Sequence, residues 1–147
     1  MNALDFAWID DIAEDSLRSR LDLGIYVQPK DRDETSEDDR QIAVVKRLKN
    51  CHGVAFHAVP NGGRQSDWAR LRGERMGVIR GQPDLGIDWT GGAAVIEMKN
   101  GTEMPRPDQV DRLNRLHRMG KNVAVCRTVD GAVAWLRSLG APVGEQR

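Results

Sequence analysis

Apolar residues recur at three- and four-residue spacing along much of the chain, with short apolar runs and glycine-rich turns between these stretches. In "NALDFAWIDDIAEDSLRSRLDLG", Ile9, Ala13, Leu17 and Leu21 stand four apart with Trp8 and Ile12 alongside. That spacing predicts an amphipathic helix with an acidic outer face, ended at Gly24. The polar, proline-bearing "IYVQPKDRDETS" reads as a linker, which puts the start of the core near residue 35. "SEDDRQIAVVKRLKN" opens with Ser36 and an acid at Asp39, a capping-box spacing, and its buried stripe is read as Ile42, Val45 and Leu48. "GVAFHAV" (53–59) alternates weakly and predicts a strand ended by the turn "PNGG". "SDWARLRGERMG" reads as a short arginine-rich helix stopped at Gly77. "GQPDLGIDWTGGAAVIEMKN" (81–100) is a β-hairpin, and "RPDQVDRLNRLHRMG" is a helix with Pro107 in its first turn, Leu113 and Leu116 buried and Gly120 at its end. "NVAVCR" is a short apolar strand central to the sheet, "TVDGAVAWLRSLG" is a last helix, and the tail beyond Pro142 frays.

The order is helix, three strands, helix, strand, helix, with one small helix inserted after the first strand. Hairpin-scale links followed by a crossover helix imply an α/β fold: a mixed four-stranded sheet flanked by helices, preceded by an N-terminal helical extension. The organisation is therefore an acidic helix and linker over 1–35, a core over 36–140 and a tail over 141–147.

Composition sharpens this outline. A chain of 147 residues can bury a core without staples, and two cysteines, Cys51 and Cys126, neither frame a disulfide network nor stand at metal-ligand spacing. No apolar run approaches the roughly 20 residues that span a bilayer, and the first residues lack a basic, apolar leader pattern, so a soluble cytoplasmic protein with no membrane partner is expected. The net charge of zero hides an asymmetry: residues 1–40 carry 12 acids and 5 bases, and residues 41–147 carry 10 acids and 17 bases. A basic body is compatible with a phosphate-rich partner, although surface charge also serves solubility.

The chemistry concentrates in the hairpin. If Thr90-Gly91 is a two-residue turn, Asp84 faces Glu97, and Lys99 shares that face because it lies two residues further on. Val95 shares the face as well, while Ile96 and Met98 point to the other side. A three-residue loop using Gly92 would shift the register by one. Opposed carboxylates repel unless a divalent cation lies between them, and hard oxygen ligands suit Mg²⁺ or Mn²⁺. A solvated strand face in which Lys99 balances an acid explains the same residues, and on geometry alone the two readings weigh equally.

The residues also match a known pattern. Pro83-Asp84 followed by Glu97-Met98-Lys99 resembles the PD-(D/E)XK nuclease superfamily. With "GQPDL", "PDQ" at 107–109, "RLHRMGKNVAVCRTVDGAVAWL" and "PNGG", the chain from about residue 36 to about 138 resembles the virus-type replication-repair nuclease (VRR-NUC) domain. The resemblance implies a restriction-endonuclease-like αβββαβ core and a Mg²⁺- or Mn²⁺-dependent nuclease acting on DNA, including branched or junction DNA. It implies Asp84, Glu97, Lys99 and Gln109 as catalytic residues, and Asp84, Glu97, the Met98 carbonyl and Glu37 as metal ligands. For Glu37 a helix-dipole role in the first turn competes, and Gln109 reads equally as a polar residue in a first turn. Arg64, Arg70, Arg72, Arg75 and Arg80 cluster just before Asp84 and are read as DNA phosphate contacts. Trp68 could stack on a base, with core packing the favoured reading. His52, His57 and His117 are read as structural or solvated. The N-terminal helix offers either a homodimer interface or an acidic shield for the basic site. The contrasting reading is a catalytically silent DNA-binding or protein-interaction module on the same fold.

Overall fold

The computed structural model describes residues 20–60 and 65–144. Most of the helix expected to end at Gly24, and Arg64, lie outside the described residues; residues 20–24, its expected last part, are coil and turn and not helix. The elements are β1 (Tyr26–Val27), α1 (Glu37–Lys49), β2 (Val54–Ala58), α2 (Asp67–Arg75), β3 (Leu85–Trp89), β4 (Gly92–Met98), α3 (Pro107–Arg118), β5 (Asn122–Cys126) and α4 (Val129–Ser138). They build a mixed sheet in the order β1-β5-β4-β3-β2. Strands β2, β3 and β4 form an antiparallel meander, while β5 pairs parallel to both β4 and β1.

The sheet has five strands, one more than the four expected. The segment read as a linker supplies the fifth: Tyr26 and Val27 pair with Ala124 and Val125, and Tyr26 stacks on Trp135 of α4 with ring centroids 6.3 Å apart. Two residues of strand leave almost no periodicity to detect, and Pro29 with its polar neighbours gives the run a loop-like composition. The core therefore begins before residue 36. It also ends later than expected, because Ala141 and Val143 are buried beneath the sheet's helices.

The β3–β4 register settles the turn. Leu85 pairs with Ile96 and Trp89 with Gly92, so Thr90 and Gly91 are the two loop residues. Gly91 has φ +87°, and no described non-glycine residue is positive, so the turn places its left-handed residue second, where only glycine enters without a Cβ penalty.

Two apolar layers flank the sheet. On one side Ile96, Met98, Ala124 and Cys126 pack with Val44 and Leu48 of α1 and Ala132 and Leu136 of α4. On the other, Val123 and Val125 pack with Leu113 of α3, and Val95 and Leu116 border them. Strand β5 is thus covered on both faces, which explains its unbroken apolar run. The buried stripe of α1 is Arg40, Val44 and Leu48, not the expected Ile42, Val45 and Leu48; Ile42 is 63 % exposed. Both stripes keep helical spacing, and Arg40 conceals the true one because a charged residue is rarely buried unless paired. Gly77, Gly120 and Gly140 each end a helix in a left-handed turn that returns two amides to the last carbonyls.

Candidate active site

At the C-terminal end of β4 the sheet, the first turn of α1 and the first turn of α3 converge. Strand pairing carries the backbone past the ends of β3 and β4. The Val59 amide donates to the Asp84 carbonyl at 2.9 Å, and the Lys99 amide donates to the Cys126 carbonyl at 3.0 Å. Continuing the β3–β4 register by one residue sets Asp84 opposite Glu97, as the two-residue turn requires. Asp84 is held there by its own side chain, whose Oδ2 accepts the Met98 amide at 2.7 Å. Strand alternation separates the roles of the neighbours: Met98 fills the apolar layer while Glu97 turns toward Gln109 of α3, with the Lys99 ammonium beside it.

Glu97 is fully buried. Its Oε1 accepts a 2.6 Å hydrogen bond from Gln109 Nε2 and lies 3.6 Å from Lys99 Nζ. Its Oε2 is buried with no hydrogen-bond partner. Burial, with the Asp84 charge adding to it, pushes the Glu97 carboxyl up to about 8, against the opposing pull of Lys99. Lys99 Nζ also lies 3.7 Å from Glu37 Oε2, so one ammonium sits between two carboxylates contributed by different elements. Glu37 is raised as well: partial burial dominates, Lys99 opposes it, and Asp84 and Glu103 add repulsion.

The first helical turns explain how these groups are held. Ser36 caps α1 by accepting the Asp39 amide at 3.2 Å, which fixes Glu37 at the first helical position. At the start of α3, Gln109 Oε1 accepts the Arg106 amide at 2.9 Å. That bond directs the carboxamide oxygen toward the helix end and the NH₂ group toward Glu97, so the orientation of Gln109 is set from both sides.

A second set of residues, not singled out by the sequence reading, shapes the loop after Lys99. Arg127, fully buried at the end of β5, donates to the carbonyls of Gln28 (3.0 Å), Glu103 (2.8 Å) and Asn100. Its own carbonyl accepts from Arg40 at 2.8 Å, and Arg40 is paired with Asp31 at 2.8 Å. Burial lowers the Arg127 pKa, partly offset by Asp31. The spacing Arg40, Val44, Leu48 was the available signal for Arg40; for Arg127 it was an arginine directly following an apolar strand.

The arginine group is placed differently. Arg70, Arg72 and Arg75 lie on α2 and Arg80 in the segment after it, all exposed. Arg70 pairs with Asp67 (3.9 Å) and Glu74 (3.7 Å) on its own helix, and Arg72 lies 5.5 Å from the Trp68 ring centroid. Trp68 is 68 % exposed, which overturns the expectation that it packs in the core. The histidines follow the structural reading: His57 lies against Gly86 across the sheet, His117 lies against Gly24, and His52 is exposed. Cys51 and Cys126 are free, with the Cys126 thiol pushed up to about 12 by burial.

Among the described residues, no group of three or more His, Cys, Asp and Glu side chains could hold a metal ion by itself. No helix among them is long and apolar enough to cross a membrane. No family model and no curated protein matches the chain. A solved structure described as a VRR_NUC domain protein does match, with a TM-score of 0.60 and 25% sequence identity, covering 73% of this chain and 89% of that one. At that identity the likeness supports a VRR-NUC-like nuclease fold for this chain, a mixed α/β sheet flanked by helices.

Proposed function

We propose that this domain is a divalent-metal-dependent nuclease that hydrolyses phosphodiester bonds of DNA, branched or junction forms included. The observation that carries the reading is the orphaned Oε2 of Glu97, a fully buried carboxylate oxygen facing an Asp84 charge. A buried polar atom without a partner is costly, and a buried carboxylate more so. Either a proton or a cation satisfies it. A fold that needed only a filled core would place an apolar residue at this position in β4.

The donor set fits a hard cation. Asp84 and Glu97 offer carboxylate oxygens and Met98 a carbonyl oxygen, with Glu37 nearby on α1. Two or three protein oxygens suffice for Mg²⁺, which keeps several waters, so a cluster of three acidic side chains is not required. When bound, such an ion supplies Lewis acidity toward the phosphoryl group and acidifies water.

The remaining roles belong to the chain itself. Lys99 holds a positive charge between Glu37 and Glu97, where it can neutralise charge building on the phosphate or orient the attacking water. Gln109 fixes the carboxylate plane of Glu97 by donating to Oε1, which leaves the buried Oε2 available to a ligand. Asp84 is steered by the Met98 amide, so both carboxylates are oriented before substrate arrives. The exposed arginines of α2 are suited to the phosphates on either side of the scissile bond.

The test is Mg²⁺-dependent cleavage of a DNA panel (single strand, duplex, gapped and four-way branched) by wild type and Lys99→Ala, with an RNA panel alongside. Hydrolysis is expected only with the ion, and a drop of about 100-fold or more in Lys99→Ala. Binding without metal-dependent hydrolysis would favour the silent-module reading, and a Lys99→Ala rate equal to wild type would remove the mechanism.

A further inference from the structure

Helix α2 buries none of its residues. A helix left uncovered by the described residues normally presents a polar surface all round. Here the helix and the turn after it carry five large apolar side chains, and all are exposed: Trp68, Leu71, Met76, Val78 and Ile79. They are interleaved with Arg70, Arg72, Arg75 and Arg80. The segment 66–80 holds four arginines against two acids, Asp67 and Glu74.

The arm is well defined at both ends. Ser66 caps α2 by accepting the Ala69 amide at 3.2 Å. Its other end closes in a left-handed turn at Gly77, where the amides of Gly77 and Val78 return to the carbonyls of Glu74 and Gly73. The arm then rejoins the domain beside the candidate site. Gly81, at φ +74°, lies so close to the start of α3 that an added Cβ would sit 2.6 Å from the Asp108 carbonyl oxygen. Gln82 accepts from Arg112 at 2.7 Å. Asp108 precedes Gln109, the donor to Glu97, and Pro83-Asp84 follows Gln82 directly. The arm is thus rooted on the framework that positions the carboxylates.

We propose that this arm binds unpaired nucleotides next to the scissile bond, with Trp68 and its apolar neighbours against base faces and the arginines on the flanking phosphates. The proposal rests on the nuclease reading for its purpose and on the arm's own surface for its chemistry. Intact duplex DNA offers phosphates but hides its base faces by stacking, so arginines alone would serve it. Unpaired bases expose apolar π-faces, and a surface mixing an aromatic ring, aliphatic side chains and guanidinium groups is the complement of that. Arg72 lies over the Trp68 ring, which adds a guanidinium, itself able to stack on a base, to the indole. A second copy of the chain fits less well, since the centre of a protein interface is depleted in charge, whereas here each apolar residue of α2 has an arginine near it in sequence.

Fluorescence anisotropy in EDTA, which reads binding whether or not the protein hydrolyses DNA, tests this on two ligands of equal phosphate count: a blunt duplex and a duplex with a single-stranded gap. Trp68→Ala is expected to weaken the gapped ligand about tenfold and the blunt one by about twofold or less, with Trp68→Phe keeping most of the wild-type affinity. Trp68 is exposed, so neither variant threatens folding. Equal losses on both ligands, or no loss on either, would overturn the proposal. So would a Trp68→Ala chain that binds DNA normally but sediments as a monomer where wild type is a dimer.

Discussion

Replacing Glu97 by glutamine separates the burial of a side chain from the burial of a charge. The carboxamide has nearly the same shape and can still accept the Gln109 hydrogen bond at the position of Oε1. What it removes is the charge. In wild type, burial and the Asp84 carboxylate raise the Glu97 carboxyl from 4.5 to about 8. The folded protein therefore holds a proton across a pH range in which the unfolded chain has lost it. Stability then falls as pH rises from about 4.5 toward about 8, and levels off once the folded group has ionised. At 1.36 kcal/mol per unit, the whole window amounts to about 5 kcal/mol at most.

The acids whose pKa is lowered do not blur this slope. Asp22, Asp31 and Asp33 contribute stability that is present above the ordinary carboxylate range and is lost only as pH falls through their depressed values. Histidines common to both proteins cancel in the difference. Urea unfolding of wild type and Glu97→Gln in EDTA, at intervals from about pH 5 to about pH 9, should show the variant gaining several kcal/mol on wild type toward the alkaline end. Adding Mg²⁺ should reverse the order at the same end, because an ion that binds the carboxylate competes with the proton and stabilises wild type alone. Parallel pH profiles for the two proteins would refute the claim that Glu97 is a charge held at a cost. An equal response of both proteins to Mg²⁺ would refute its role as a ligand.

Gln109→Ala removes the donor that orients Glu97, and the Mg²⁺ concentration for half-maximal cleavage should rise about 10- to 100-fold with smaller change in the rate at saturating ion; a change in rate alone would place Gln109 on the substrate instead. Arg127→Met strips the donors from the carbonyls of Gln28, Asn100 and Glu103, and urea unfolding should show a loss of about 3 kcal/mol, with a loss under about 1 kcal/mol indicating that water takes over those bonds.

What the sequence revealed and what it hid divide along a physical line. The hairpin was legible because strand side chains alternate with period two and a two-residue turn fixes the register, so Asp84, Glu97 and Lys99 could be placed on one face by counting. Capping was legible for the same reason: Ser36 and Gly120 act on atoms within three or four residues of themselves. The failures involve partners far away in the chain. Tyr26 and Val27 are a strand only because β5, about a hundred residues later, presents an open edge to them. Ile42 and Val44 are equally apolar in the sequence, and which one is buried depends on how α1 rolls onto the sheet. That roll is tied to Arg40, whose guanidinium reaches Asp31 and the Arg127 carbonyl, two groups no local pattern connects. Trp68 fails in the opposite direction. Its type favours the interior, yet no described residue covers it on α2, which the turn at Gly81 joins to the domain. An apolar residue that the fold leaves exposed is thus informative in the same way as a charged residue that the fold buries. Glu97 and Trp68 are opposite departures from the same rule, on segments that meet at the start of α3, and the nuclease reading gives each of them the missing partner: a cation for the buried charge and a base for the exposed ring.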